Sequence, residues 1–192
     1  MNIDNHKIRD ITGNNNYIIN GDGTINVINS IPEPNENIMF SLLTNIAKMI
    51  ANTNVRPELP DNLPYDVTDK IKFNDIQTYI EYQEIYDDGI CIIEQRLRSI
   101  EENATGSIKP QIFRYVNGVF RRVKRSKQDL TADQIVHEVE NIITFELRDY
   151  YKHTLSPEDL SHIEFVVYYV FASCKIFDKP THQFLAQKNV NP

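Results

Sequence analysis

The chain contains no tryptophan, two cysteines, six glycines and no apolar run long enough to span a bilayer, and each shortage removes a class of protein. A disulfide scaffold or a zinc site needs several closely spaced ligands. Cys91 and Cys174 stand far apart, in segments that read as helix, so both are expected to be buried thiols in a reducing compartment. A membrane span needs roughly 18 to 20 consecutive apolar residues, and the N-terminal residues Met1 to Asn20 are polar and Asn-rich where a secretory leader would be basic and then apolar. A cytoplasmic protein with no membrane partner is therefore expected. His6, His137, His153, His162 and His182 form no His-x-x-x-His pair, and no Cys-x-x-Cys exists; these histidines are read as solvated or capping. Gly21-Asp22-Gly23 lacks the Lys-Ser/Thr or the third glycine that a phosphate cradle requires. No catalytic residue, metal or cofactor is expected, and the chain is read as a non-enzyme.

The remaining composition is that of a globular domain. Its 192 residues, 41% hydrophobic and 24% charged, suffice for one core that hides roughly 70% of the unfolded surface. A formal net charge of −7 argues against general adhesion to nucleic acid and leaves room for a local basic patch.

Three stretches differ in pattern. Residues 1–30 mix β-branched residues with Asn and Gly, and Asn20-Gly21-Asp22-Gly23 offers the positive-φ residues of a tight hairpin turn between flanking strands. A lone hairpin is marginal in water, so this arm is expected either to pack on the body or to pair with other copies through Tyr17, Ile18, Ile19, Ile25 and Val27. Residues 31–68 carry a Pro32-Glu33-Pro34 linker, an amphipathic helix from Glu36 to about Asn52, and a strap with Pro57, Pro60 and Pro64. Residues 69–192 read as a helical bundle. Ile71 to Ile100 is one kinked helix or two abutting ones, with a break or kink expected at Asp87 to Gly89. Ile108 to Val123 forms the next helix, with Pro110 in its first turn. Thr131-Ala132-Asp133-Gln134 resembles a capping box and opens a helix to about Tyr151. Ser156-Pro157 opens the last helix, which Pro180 is expected to stop. The fold class predicted is mainly α, a bundle of five to six helices with an N-terminal β-hairpin arm.

The strongest charge feature is Lys109, Arg114, Arg121, Arg122, Lys124, Arg125 and Lys127, with no acid between Lys109 and Gln128. Helical spacing puts Arg114, Arg121 and Arg125 near one side and turns Ile112, Val116, Val119 and Val123 inward. An ordinary solvated face, a docking surface for an acidic protein partner and a nucleic-acid contact are all open readings of Arg114, Arg121, Arg122, Lys124, Arg125 and Lys127. Aromatic interleaving is thin, so single-strand stacking is not favoured. Glu81, Glu84, Asp87, Asp88, Glu94, Glu101 and Glu102 form an acidic stretch that can answer the basic one within or between subunits.

The segment from Glu158 through Tyr168, Tyr169 and Phe171 to Cys174-Lys175-Ile176-Phe177-Asp178-Lys179-Pro180 resembles the closing helix of accessory and C-terminal modules of bacterial ABC-three-component (Lamassu-like) antiphage defence systems. Leu63-Pro64-Tyr65 leading into Lys70-Ile71-x-Phe73-Asn74, and Thr131 to Val139, agree with it, so the resemblance spans residues 60 to 180. It implies an adaptor that joins an effector subunit to an SMC-like ABC ATPase, multimerised by the hairpin. Such modules usually trail an effector domain, whereas here only the hairpin precedes the module. A nucleic-acid-binding regulator and a phage-encoded inhibitor of a host defence protein remain the rival readings.

Overall fold

The structure, a computed structural model, describes residues 16–19, 25–28, 33–50, 66–102, 108–127, 129–152 and 155–188. The chain divides into two compact units, Met1–Pro32 and Glu33–Pro192. In the first, β1 (Asn16–Ile19) and β2 (Ile25–Ile28) pair antiparallel, with Tyr17 opposite Val27 and Ile19 opposite Ile25. The turn between them lies outside the described residues, as do the side chains of Tyr17, Ile18, Ile19, Ile25 and Val27 and the proline strap.

The second unit has helices and no strand among its described residues. It comprises α1 (Glu36–Ile50), α2 (Val67–Asn74), α3 (Gln77–Glu81), α4 (Gln83–Glu101), α5 (Lys109–Ser126), α6 (Ala132–Tyr150), α7 (Pro157–Leu160), α8 (Ile163–Ala172) and α9 (His182–Lys188). The segments outnumber the five or six expected because the backbone breaks where the sequence gave weaker warning. Asp75 ends α2 in the left-handed region at φ 54, which aspartate tolerates better than most residues. Tyr82, at φ −119 and without a side-chain cap, separates α3 from α4.

Of the break or kink expected at Asp87 to Gly89, the break does not occur: α4 is continuous from Gln83 to Glu101. Gly89 serves a different purpose. A Cβ there would sit 2.4 Å from Cδ1 of Phe165, so its absence lets α4 and α8 approach closely. The helix opened by Ser156-Pro157 also departs from expectation. It turns at Ser161 and His162, resumes as α8, and stops at Ala172, eight residues before Pro180. Cys174 and Phe177 then take left-handed backbone at φ 59 and 61, and α9 follows the proline. Helix propensity loses here to hydrogen bonds from neighbouring helices to the carbonyls of this run.

The core is built around α8, which is apolar on every side and therefore central. Phe165, Val166, Val167, Tyr168, Tyr169, Val170 and Phe171 are all buried, and α4, α5 and α6 pack against this helix while α1 lies across α4, α5, α6 and α7. Tyr79, Tyr86 and Tyr168 stack edge-on or face-on with centroids 4.7–5.0 Å apart. Each buried aromatic contributes on the order of 2–3 kcal/mol. The capping box is present: Gln134 N–H donates to Thr131 Oγ1 at 3.3 Å, and Thr131 N–H to Gln134 Oε1 at 2.9 Å. Carboxylates cap two other helices from outside. Asp133 accepts from the N–H groups of Gln77 and Thr78 at the start of α3 (3.0 and 2.9 Å). Glu101 accepts from those of Ile108 and Lys109 at the start of α5 (2.8 and 3.1 Å).

Candidate functional site

The expected inner face of α5 is the one the structure buries: Ile112, Val116, Val119 and Val123 all lie in the core, with Phe113 and Phe120 beside them. The other side presents Arg114, Gly118, Arg121 and Arg125 to solvent. The six candidate residues then separate. Arg122 pairs with Glu146 at 2.6 Å, Lys127 with Glu138 at 2.6 Å and Lys124 with Asp178 at 3.6 Å. Glu146 also accepts from the Tyr115 hydroxyl at 2.7 Å, which fixes it against α5. Exposed pairs of this kind are worth about 0–1 kcal/mol, yet they cancel half of the local charge. Arg121 and Arg125 have no ion-pair partner among the described residues, and Arg114 shares their exposed face.

Gly118 lies at the middle of this face. Glycine within a helix costs roughly 1 kcal/mol relative to alanine, and Gly89 shows what can justify it. At Gly118 no such reason is found among the described residues, because an added Cβ would meet nothing within 4 Å. The missing side chain leaves a shallow notch between Arg114 and Arg121.

The acidic stretch answers the basic one at a single point. Lys109 reaches Glu94 at 2.6 Å, and Glu94 also accepts from Tyr169 at 2.7 Å; both bonds hold its carboxyl below the usual range against the opposing effect of burial. Asp87 accepts from the Tyr168 hydroxyl at 2.7 Å, and Glu101 is occupied as a cap. Glu81, Glu84 and Asp88 are exposed and make no ion pair among the described residues. Next to them, where Tyr82 interrupts the helix, a surface cavity of about 550 Å³ is lined by Ile80, Glu81, Tyr82, Glu84 and Ile85.

Perturbed ionisable groups elsewhere serve the packing. Burial, reinforced by Glu140, pushes Glu164 up to about 8, while Tyr86 donates to it in the opposite sense. One Glu164 oxygen and the hydroxyl of the fully buried Tyr79 find no partner among the described residues. Lys70 is fully buried and brought down to about 8 by desolvation. It donates to the carbonyls of Phe171 (2.5 Å) and Ile176 (2.7 Å), with its ammonium 4.1 Å from the Phe171 ring centroid. Asn74 adds bonds to and from Asp178 (2.9 and 3.2 Å), and Asn117 donates to the Lys175 carbonyl. These three side chains hold the irregular run after α8.

One expectation needs correction. Cys91 is exposed and Cys174 only half-buried, so neither is a core thiol; Cys91 sits on the outer side of α4, and Cys174 lies in the left-handed turn beyond α8. His162, read with the other histidines as solvated or capping, is buried and takes up a backbone N–H just before α1. Its Nε2 accepts the Asn35 N–H at 2.8 Å and its Nδ1 lies 2.8 Å from Ser161 Oγ, which donates to the Glu158 carbonyl at 2.7 Å. That arrangement needs the neutral ring, consistent with burial lowering its pKa. Among the described residues no three His, Cys, Asp or Glu side chains are placed to hold a metal ion, and no helix is long and apolar enough to cross a membrane. No family model, curated protein or solved structure matches this chain.

Proposed function

We propose that the chain is a non-catalytic adaptor that docks an acidic surface of a partner protein on the outer face of α5. The observation behind this reading is the division of the basic segment. Arg122, Lys124 and Lys127 are neutralised within the chain, whereas Arg121 and Arg125, on the exposed face that holds Arg114 and the Gly118 notch, have no ion-pair partner among the described residues. A helix notch flanked by arginines suits a complementary protein surface, where arginine and close backbone approach favour specific contact. In the more specific form of the proposal, taken from the resemblance over residues 60 to 180, the partner is an SMC-like ABC ATPase of an antiphage defence complex. The adaptor carries its effector there and is multimerised by the β1–β2 arm through Tyr17, Ile18, Ile19, Ile25 and Val27.

Nucleic acid is the weaker occupant of the same face. Two arginines neutralise about two phosphates and give a salt slope of only about −2, little affinity at physiological salt for a chain whose net charge of −7 has the same sign as the phosphates. The test is to search the gene neighbourhood for an SMC-like ATPase and co-express the two chains; absence of such a gene overturns the ATPase form of the proposal. The two should co-elute, and Arg121→Glu with Arg125→Glu should abolish co-elution while the adaptor stays folded. Co-elution unchanged by both reversals, or a duplex-DNA mobility shift with a steep salt dependence, overturns the reading.

A further inference from the structure

The cavity at the α3–α4 joint and the outer face of α5 carry opposite charges that form no ion pair among the described residues, Glu81 accepting only a hydrogen bond from the neighbouring Tyr82 hydroxyl. Glu81 closes α3 and Glu84 opens α4, on either side of the Tyr82 break. Both are exposed, as is Asp88, and none forms an ion pair among the described residues. The cavity floor is apolar as well as acidic. Ile80 is 44% exposed, among the few large apolar side chains left at the surface, and Ile85 lines the same space. A volume of about 550 Å³ falls within the range that holds a small ligand, roughly 300–1,000 Å³, and so accommodates long side chains entering together.

Arginine suits both halves of that surface, because its alkyl stem lies along apolar atoms while its guanidinium forks onto carboxylates. Arg121 and Arg125 are four residues apart, so their stems leave α5 about 6 Å apart along the axis on one side of the helix. Glu81 and Glu84 stand three residues apart on either side of the break, and both line the cavity. We infer that the α3–α4 cavity of one copy of this chain receives the outer face of α5 from a second copy, Arg121 and Arg125 entering against Glu81 and Glu84.

Gly118 gives this docking an observation independent of charge. It is the helix glycine that the chain's own packing does not explain, and it lies one turn before Arg121. A missing side chain there lets the α5 backbone approach the exposed Ile80. The overall charge of −7 selects the direction: two copies repel at most orientations, and α5, with no acid between Lys109 and Gln128, is the segment each can present to the other's acids. The two surfaces differ, so the contact is heterologous and copies add head to tail, closing into a ring or extending with concentration. The inference rests on the reading of α5 as a docking face and places a second copy there as a competitor of the proposed ATPase.

The test compares the mass of the full-length wild type by sedimentation and light scattering with that of two variants, Arg121→Glu/Arg125→Glu and Glu81→Lys/Glu84→Lys. Wild type should gain mass with concentration and lose it in high salt, and each variant alone should associate at least about tenfold more weakly. An equimolar mixture of the two variants should regain the larger assembly, because each reversed face then meets its complement. Gly118→Leu should weaken association with every charge intact. Identical masses for wild type and both variants at all concentrations, or a mixture that does not recover, overturns the inference. An unaltered mass in Arg121→Glu/Arg125→Glu with ATPase binding lost refutes self-docking and leaves the adaptor proposal standing. Lost association with ATPase binding retained does the reverse.

Discussion

Replacing Glu164 by glutamine should make the protein more stable at neutral pH. Glu164 lies on α8 with one oxygen unpartnered, and burial together with the nearby Glu140 raises its carboxyl to about 8 from an ordinary 4.5. Because the folded-state value is raised, the folded chain holds a proton that the unfolded chain has already released between pH 4.5 and 8, so this group's stabilisation is greatest at low pH and is lost as pH rises across that window. At pH 7 the difference of 2.5 between pH and the unfolded value corresponds to roughly 3 kcal/mol as a ceiling. Glutamine keeps the shape and has no proton to lose. Chemical denaturation should therefore show the variant level with wild type near pH 4.5 and about 1–3 kcal/mol more stable at pH 7 to 8. That gain corresponds to a melting shift of roughly 2–10 °C for a domain of this size. Curves that stay parallel from pH 5 to 8 would show that Glu164 ionises in the fold without penalty, and the account of α8 as a dry centre would be wrong.

Two glycines predict opposite outcomes for one chemical change. Gly89→Ala places a methyl 2.4 Å from a Phe165 ring that is itself held by Tyr86 and His162, and should cost about 1–3 kcal/mol in spite of the gain in helix propensity. Gly118→Ala meets nothing and should raise monomer stability by about 0.5–1 kcal/mol; equal effects at the two sites in urea unfolding would contradict both assignments. Lys70→Met retains an apolar stem and removes the donors to Phe171 and Ile176, and should cost about 1–3 kcal/mol. Amide exchange should speed up first at Cys174 to Asp178, and a variant with unchanged exchange there would show that the lysine does not hold that turn. Lys70 in the fold is lowered to about 8 from 10.5, so the unfolded chain binds more protons between those values, wild-type stability gains from this group as pH rises through them, and the variant should lose that rise.

Periodicity located most of the helices, since a buried face repeats along the chain whatever it packs against. α1, α5 and α6 begin and end close to their sequence signals, and the inner face of α5 was legible residue by residue. Those signals are local: an i, i+3, i+4 pattern, a proline at a first turn, a threonine three residues before a glutamine. The basic face was legible for the same reason. Which of its cations remain unpaired was not, because Glu138, Glu146 and Asp178 arrive from other elements. Gly89 was misread for a related reason. A glycine within a helix signals a kink or a close neighbour equally well, and the deciding atom belongs to Phe165, some 76 positions along.

The run after α8 carries that argument furthest. Proline at 180 sets an outer limit on the helix, but the chain leaves helical geometry much earlier, at Cys174, where φ turns positive. A left-handed cysteine and phenylalanine are unfavourable on their own, by on the order of 1 kcal/mol or more each. They persist because the carbonyls of Phe171, Lys175, Ile176 and Asp178 gain donors from Lys70, Asn117 and Asn74. A lysine in the second turn of an amphipathic helix reads as solvated, and nothing local distinguishes Lys70 from Lys72, which is exposed. Its role exists only once α2 lies against the end of α8, where an ammonium meets the negative end of a helix. Buried ionisable groups of this kind normally draw attention as chemistry; here Lys70, Glu164 and His162 are each occupied in shaping or straining the fold. On the outside, Arg121 and Arg125 on α5 and Glu81 and Glu84 at the α3–α4 joint make no ion pair among the described residues, which is why the proposals rest on them.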